Sequence, residues 1–325
     1  MSHRSRVLLL GATGTIGRAT ADALLADGHE VVCLVRGLPN ERKTADIPSA
    51  VVQRFGDPTD PASLTRDAIR GERFDALISC MASRTGAPED AWAIDYQAHA
   101  HALNAAREAR IQHMVLLSAI CVQKPKLAFQ RAKLAFEAEL IASGLTYSIV
   151  RPTAYFKSLS GQLDRLRRGK PFLLFGDGRL TACKPVSAHD LGIFLARCLN
   201  DATCHNRILP IGGPGPAVTP RQQGEHLFRL LGRDPRFRKV PIALMDVIIT
   251  VLGALGRISP VLAEKAELAR IGRYYATESM LVLDPETGLY DADATPETGT
   301  ETLFDFYSRL VRGEVEDDRG DHAIF

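Results

Sequence analysis

Three glycines, Gly11, Gly14 and Gly17, stand at three-residue intervals in the stretch GATGTIG. The chemistry such a turn offers is anion binding. Backbone N–H groups at a helix N-terminus can point at a phosphate, and glycines let it approach with no side chain in the way. A glycine pattern alone also fits a tight structural turn. Here it follows an apolar strand-like run and opens a helical pattern, which favours a dinucleotide pyrophosphate. Thr13 and Thr15 add hydroxyl donors, and Ile16 completes the candidate cradle.

The second strand-like run ends in Arg36, where an acidic residue would hold a free ribose 2′-hydroxyl. A guanidinium has no acceptor and attracts a 2′-phosphate. Arg42 and Lys43 follow in the next loop. The set points to NADPH rather than NADH, against the plainer reading of a solvated basic loop. After the third strand, Asp57 could accept a hydrogen bond from the adenine amino group, while Asp60 reads as a helix cap. Cys80 and Met81 could pass over the adenosine ribose. Ser118 ends the fifth strand near the expected nicotinamide, and Pro152, closing the sixth, completes the candidate cofactor set.

Lys133 lies in the mostly apolar stretch AFQRAKLAFEAEL. Its ammonium could hold the nicotinamide ribose hydroxyls; the rival reading is a surface lysine among Arg131 and Glu137. Phe129 sits four residues earlier on the same helical face. Many nicotinamide-dependent reductases carry a tyrosine acid at that position, and a phenyl ring has no proton to give. Tyr155, in the loop after the sixth strand, could donate a proton, stack on a substrate or pack in a core. Phe156 beside it is a plausible cleft residue. Arg165, Arg167, Arg168 and Lys170 could meet a carboxylate or form a solvated helix end. No Cys/His cluster has metal-ligand spacing, so no metal is expected.

These residues need a frame to position them. Continuous apolar strands at 6–12, 30–36, 50–57, 74–81, 113–120 and 146–152 alternate with helical patterns at 15–28, 63–71, 91–110 and 128–144. That order implies an α/β, Rossmann-type doubly wound parallel sheet covered on both faces. The expected NADPH-binding domain spans 5–153, with 206–213 rejoining its sheet. A smaller, mostly helical substrate-binding region spans 154–312, with a basic helix at 158–169, a short strand at 182–187, a helix at 188–201 and a polar linker at 291–302. The acidic tail 313–325 reads as mobile.

With 325 residues and 46% hydrophobic composition, the chain can bury a large core. A net charge of +2 argues against a nucleic-acid partner. Six cysteines without C-x-x-C spacing suggest reduced thiols in a cytoplasmic protein, and the N-terminal stretch lacks a signal peptide. The stretch 241–256, PIALMDVIITVLGALG, is too short to span a membrane comfortably and is interrupted by Asp246. A buried or substrate-facing helix is the favoured reading, with peripheral membrane contact as the alternative.

The chain resembles an atypical short-chain dehydrogenase/reductase. GATGTIG, GDPTD and Lys133 are similar to the isoflavone-reductase-like and NmrA-like branch. The block LLSAICVQKPKLAFQRAKLAFEAEL, 116–140, closely resembles the corresponding block of divinyl chlorophyllide 8-vinyl-reductases, as do 147–162 and 176–194. The resemblance implies NADPH-dependent reduction of the C8 vinyl group of divinyl chlorophyllide or protochlorophyllide to ethyl, in chlorophyll or bacteriochlorophyll synthesis. It also rationalises Phe129. Hydride addition to the terminal vinyl carbon would place negative charge in a conjugated macrocycle, where delocalisation and the substrate's own magnesium stabilise it. A tyrosine acid at 129 is then dispensable, and Phe129 can pack against cofactor or macrocycle, with Tyr155 and Phe156 as further substrate contacts. The alternatives are a non-catalytic NmrA-like NADP(H) sensor and an isoflavone-reductase-like reductase of another conjugated alkene.

Overall fold

The computed structural model describes residues 4–37 and 47–315. Its central sheet is built from β1 (Arg6–Leu10), β2 (Glu30–Val35), β3 (Val52–Phe55), β4 (Ala76–Ser79), β5 (His113–Leu117), β6 (Thr146–Pro152) and β8 (Arg207–Ile211). The strand order is β3-β2-β1-β4-β5-β6-β8, so the direction of winding reverses between β1 and β4. Ligands of such sheets bind outside the carboxyl ends of the strands at that reversal. β1 lies between parallel partners, with Leu9 opposite Cys33 on one side and Ile78 on the other. Its apolar run is continuous because both faces are covered, and Val7, Leu8 and Leu9 are fully buried.

On one face, Leu8, Leu34, Leu77, Met114 and Ile149 pack with Ala98, Ala102, Ala106, Phe136 and Leu140 from helices. Two of those helices are α2 (His99–Glu108) and α3 (Ala128–Ala142). Elsewhere in the unit, α1 (Thr15–Ala26) packs on α4 (Ala188–Arg197). The contact is close enough that a Cβ on Gly192 would fall 2.5 Å from the Ala19 backbone. This closeness places 188–210 in the first of two compact units, which comprises 1–83, 88–152 and 188–210. The helix expected at 188–201 within the substrate region therefore belongs to the first unit. The helix expected at 91–110 starts earlier, at Pro88, and carries a π-helical stretch, Trp92–Ala98, before α2.

The second unit comprises 84–87, 153–187 and 211–325. It contains β7 (Phe172–Phe175) paired in parallel with β9 (Phe237–Val240), together with α5 (Pro220–Leu230), α6 (Ile242–Leu255), α7 (Pro260–Thr277) and α8 (Leu303–Arg312). Phe156, Leu163, Leu166, Phe172, Phe228 and Tyr307 form its core.

Four local expectations need correction here. The single basic helix at 158–169 is two short helices, Phe156–Leu159 and Leu163–Arg167. Ser160 turns its hydroxyl back onto the Lys157 carbonyl, and Gly161 follows, so the first helix stops there. The expected strand at 182–187 forms only isolated bridges, Tyr155 with Val186 and Cys183 with Val218 and Met280. Pro185 lacks the N–H that a continuous ladder needs. The linker at 291–302 is anchored: Gly212 donates to the Pro296 carbonyl, and Glu297 pairs with buried Lys184. Finally, α6 contains no buried residue, which overturns its reading as a buried helix. No helix among the described residues is long and apolar enough to cross a membrane. Of the tail, 316–325 lies outside the described residues.

Candidate active site

The glycine turn can be tested as a phosphate cradle by asking what a side chain would meet. Gly11 has φ +80°, and a Cβ there would lie 2.6 Å from the Cys80 carbonyl carbon. The chain leaving β4 thus crosses directly over Gly11, which brings Cys80 and Met81 to the turn. A Cβ on Gly17 would sit 2.1 Å from the Gly11 carbonyl oxygen. Gly14 is exposed and N-caps α1 without a side-chain hydrogen bond, and no acidic residue occupies the first turn. Thr13, Thr15 and Ile16 around it are half-buried. The helix therefore presents its positive end unblocked, and the residues fit a pyrophosphate.

Arg36 is exposed, one residue beyond β2. Asp57 is held below the usual carboxylate range, chiefly by the Thr59 backbone N–H, with the Arg36 charge adding to the effect. Both Thr59 donors, N at 2.9 Å and Oγ1 at 2.8 Å, go to the same Asp57 oxygen, Oδ1. Asp57 is thus engaged in a local turn and has only its second oxygen left for an adenine amino group. Asp60 accepts from Ala62 N at 3.0 Å, as a helix cap. Arg42 and Lys43 lie outside the described residues. Burial pushes the Cys80 thiol up to about 12, so it stays protonated beside Thr20. Met81 is buried in the sheet core.

If Arg36 takes the 2′-phosphate, as the sequence suggests, Arg36→Ala weakens NADPH binding by roughly tenfold to a hundredfold, the worth of one charge-assisted contact. NADH binding should barely change. Titration of both cofactors measures this, and equal losses would remove Arg36 from the role.

Lys133 is not the surface lysine of the rival reading. It is buried on α3, and its Nζ lies 2.9 Å from Oδ1 of Asp95, whose side chain is fully enclosed. Asp95 also accepts from Ser83, from Oγ at 2.6 Å and from N at 3.2 Å. The wider turn of the π-helical stretch carries both Asp95 and, at its end, His99. His99 Nδ1 lies 2.8 Å from the Ile94 carbonyl and Nε2 2.9 Å from Ser79 Oγ. A carbonyl only accepts, so Nδ1 carries the proton and Nε2 accepts from Ser79. Burial, aided by the Lys133 charge, pulls His99 down to about 4, and the ring is neutral at physiological pH.

Ser118 sits just past β5, buried, and donates its hydroxyl to Glu137. Its proton is thereby committed to the protein rather than available at the nicotinamide. Glu137, which the rival reading of Lys133 put on a surface, is buried and also holds Arg151. Phe129 is buried one helical turn before Lys133. Between them Gln130 caps the start of α3, accepting from Lys126 N and Leu127 N at 2.8 and 2.9 Å. Its Nε2 is buried with no partner among the described residues. Pro152 is buried at the end of β6.

In the second unit, Tyr155 is half-buried and bridged to Val186. Phe156 is corrected from cleft residue to core residue. It is 4% exposed and packs on Phe306 with ring centroids 5.4 Å apart. Arg165, Arg168 and Lys170, with Gly161 and Asp164, line a hollow of about 230 Å³. Arg165 bonds the Pro171 carbonyl, while Arg167 bonds that of Leu310.

Sequence reasoning missed Asp95, Ser83 and the His99–Ser79 pair. A signal was present: AIDYQAHA places an acid and a histidine four apart in an alanine-rich helical run. A buried charge of that kind demands a partner, and Lys133 sits in an equally apolar helix.

A family model described as NAD(P)H-binding matches residues 11–202. A Zea mays protein named divinyl chlorophyllide a 8-vinyl-reductase, chloroplastic, is 50% identical over 100% of this chain and 84% of its own length. An Arabidopsis thaliana protein of the same name is 47% identical over 94% of this chain and 76% of its own. An NADPH-dependent quinone oxidoreductase from Escherichia coli, solved with NADPH, shares the fold with a TM-score of 0.68. It covers 94% of this chain and 99% of its own at 20% identity. The names of these relatives place those proteins in the chloroplast, so the cytoplasmic expectation does not stand. None of the six cysteines is joined in a disulfide. With near-half identity along its whole length, the chain belongs to the divinyl chlorophyllide a 8-vinyl-reductase family.

Proposed function

We propose that this protein uses NADPH to reduce the C8 vinyl group of divinyl chlorophyllide or protochlorophyllide to ethyl. The observation that carries the reading is the 50% identity to a reductase of that name over the full chain. When bound, NADPH supplies the hydride. The protein's own residues have other tasks. The Gly11–Gly17 turn holds the pyrophosphate on the α1 N-terminus, and Arg36 takes the 2′-phosphate. Lys133 holds the nicotinamide ribose hydroxyls, and Asp95 fixes the position of its ammonium. The second unit supplies the substrate-binding region, with Tyr155 as substrate contact and candidate proton donor.

Phe129 fits alkene reduction. A carbonyl reductase develops an alkoxide that benefits from an adjacent acid. Charge from a reduced vinyl group spreads through the macrocycle instead, and its later protonation on carbon need not come from position 129. Phe129→Tyr is therefore neutral or slower in single turnover with saturating NADPH. A hydroxyl buried there without a partner costs about 1–3 kcal/mol. Phe129→Leu keeps measurable activity, since only packing is lost. A large gain in Phe129→Tyr would show that proton donation from this position can limit the reaction.

The functional test is incubation of the protein with NADPH and divinyl chlorophyllide. A blue-shifted Soret band and a product two hydrogens heavier are expected. NADPH binding without any turnover would instead indicate the sensor class.

A further inference from the structure

The feature that the proposed chemistry leaves unused is α6. Leu244, Val247, Ile248, Val251 and Leu255 are 42–58% exposed. Their spacing places them within one stripe of the helix. Beyond the helix end Ile258 is 87% exposed, and Val261 and Leu268 of α7 are exposed as well, with Glu264 and Lys265 exposed between them. Soluble monomers rarely leave so long an apolar surface in water. The one charged residue of α6, Asp246, is neutralised by an ion pair with Arg273 of α7. Both ends of the stripe are cationic: Arg236, Arg238 and Lys239 are exposed just before α6, and Arg257 is exposed just after it.

We infer that α6 and the start of α7 form an in-plane docking surface for a lipid bilayer carrying anionic headgroups. The helix has 14 residues, so it is about 21 Å long, well short of the roughly 30 Å hydrocarbon core. It lies on the membrane rather than crossing it. Its apolar stripe enters the headgroup boundary, and the flanking cations meet lipid phosphates. A second copy of the chain is a poorer occupant. With cations at both ends of the stripe, two copies packed stripe to stripe bring like charges together in either orientation. A single macrocycle is also a poorer occupant, because the stripe runs the length of α6, about 21 Å. The inference rests on this surface alone and is independent of the reductase reading.

The test is co-sedimentation with vesicles of phosphatidylcholine alone, and of phosphatidylcholine and phosphatidylglycerol in equal parts. The native protein binds the mixed vesicles, and added salt weakens the binding. Val247→Glu/Val251→Glu and Arg238→Glu/Lys239→Glu each lower that binding at least about tenfold while NADPH affinity, read in the same samples, is retained. Absence of native binding, or undiminished binding by either double variant, overturns the inference. Concentration-dependent dimerisation abolished by Val247→Glu/Val251→Glu, with no vesicle binding, assigns the face to a second copy and also overturns it. The inference fails equally if that variant loses only chlorophyllide affinity in vesicle-free solution.

Discussion

Asp95→Ala loses about 3–5 kcal/mol of unfolding free energy, the cost of leaving one member of a buried ion pair alone. Asp95 is fully enclosed, and it satisfies Lys133 Nζ and both Ser83 donors. Without it an ammonium and a hydroxyl are stranded beside neutral His99, which is hydrogen-bonded to Ser79 and the Ile94 carbonyl and offers no negative charge. Denaturant titration followed by circular dichroism measures the loss. Asp95→Ala/Lys133→Met should recover a large part of it, since removing both charges removes the desolvation cost as well. A single-variant loss below about 1 kcal/mol, the worth of an exposed pair, would mean that water reaches the site and the pair is not enclosed.

Lys133→Met lowers the single-turnover rate of vinyl reduction about a hundredfold, the scale expected when a reacting group is displaced by about 1 Å. On the proposed roles NADPH affinity falls less, by roughly tenfold, since Lys133 would give up one charge-assisted hydrogen bond to the ribose while the proposed pyrophosphate and 2′-phosphate contacts are untouched. Rapid mixing of pre-bound protein and NADPH with substrate separates the two effects. Asp95→Asn falls between native and Lys133→Met, because an amide can still accept from the ammonium but no longer offsets its charge. An unchanged rate in Lys133→Met would reduce Lys133 to a structural counter-ion of Asp95.

The parallel sheet was legible because its central strands obey one rule. Strands buried on both faces must be apolar throughout, and RVLLL, EVVCLV and HMVLL are so beyond their first residues. The glycine turn was legible too. Gly11 and Gly17 are backbone contacts in which any Cβ collides, and only glycine satisfies that need. Less could be read from the residues around Lys133. Its partner stands 38 positions away in the chain, on a helical stretch whose π geometry has no simple signature in residue order. Composition alone could not tell the apolar face of α6, which points outward, from a buried helix. Periodicity reports that residues share a face, not which way that face is turned. Phe156 was misread for a related reason: an aromatic just past a strand end serves a core as readily as a cleft.

The central claim is most directly tested by following the label. Divinyl chlorophyllide is incubated with the protein and NADPH deuterated at C4, using each of the two stereoisomers in turn, and the product is examined by mass spectrometry and NMR. One stereoisomer should yield a product one mass unit heavier than unlabelled NADPH does, with the deuterium in the new ethyl group at C8. Product lacking deuterium from both stereoisomers, or NADPH that stays bound and unconsumed beside intact divinyl substrate, would contradict the assignment.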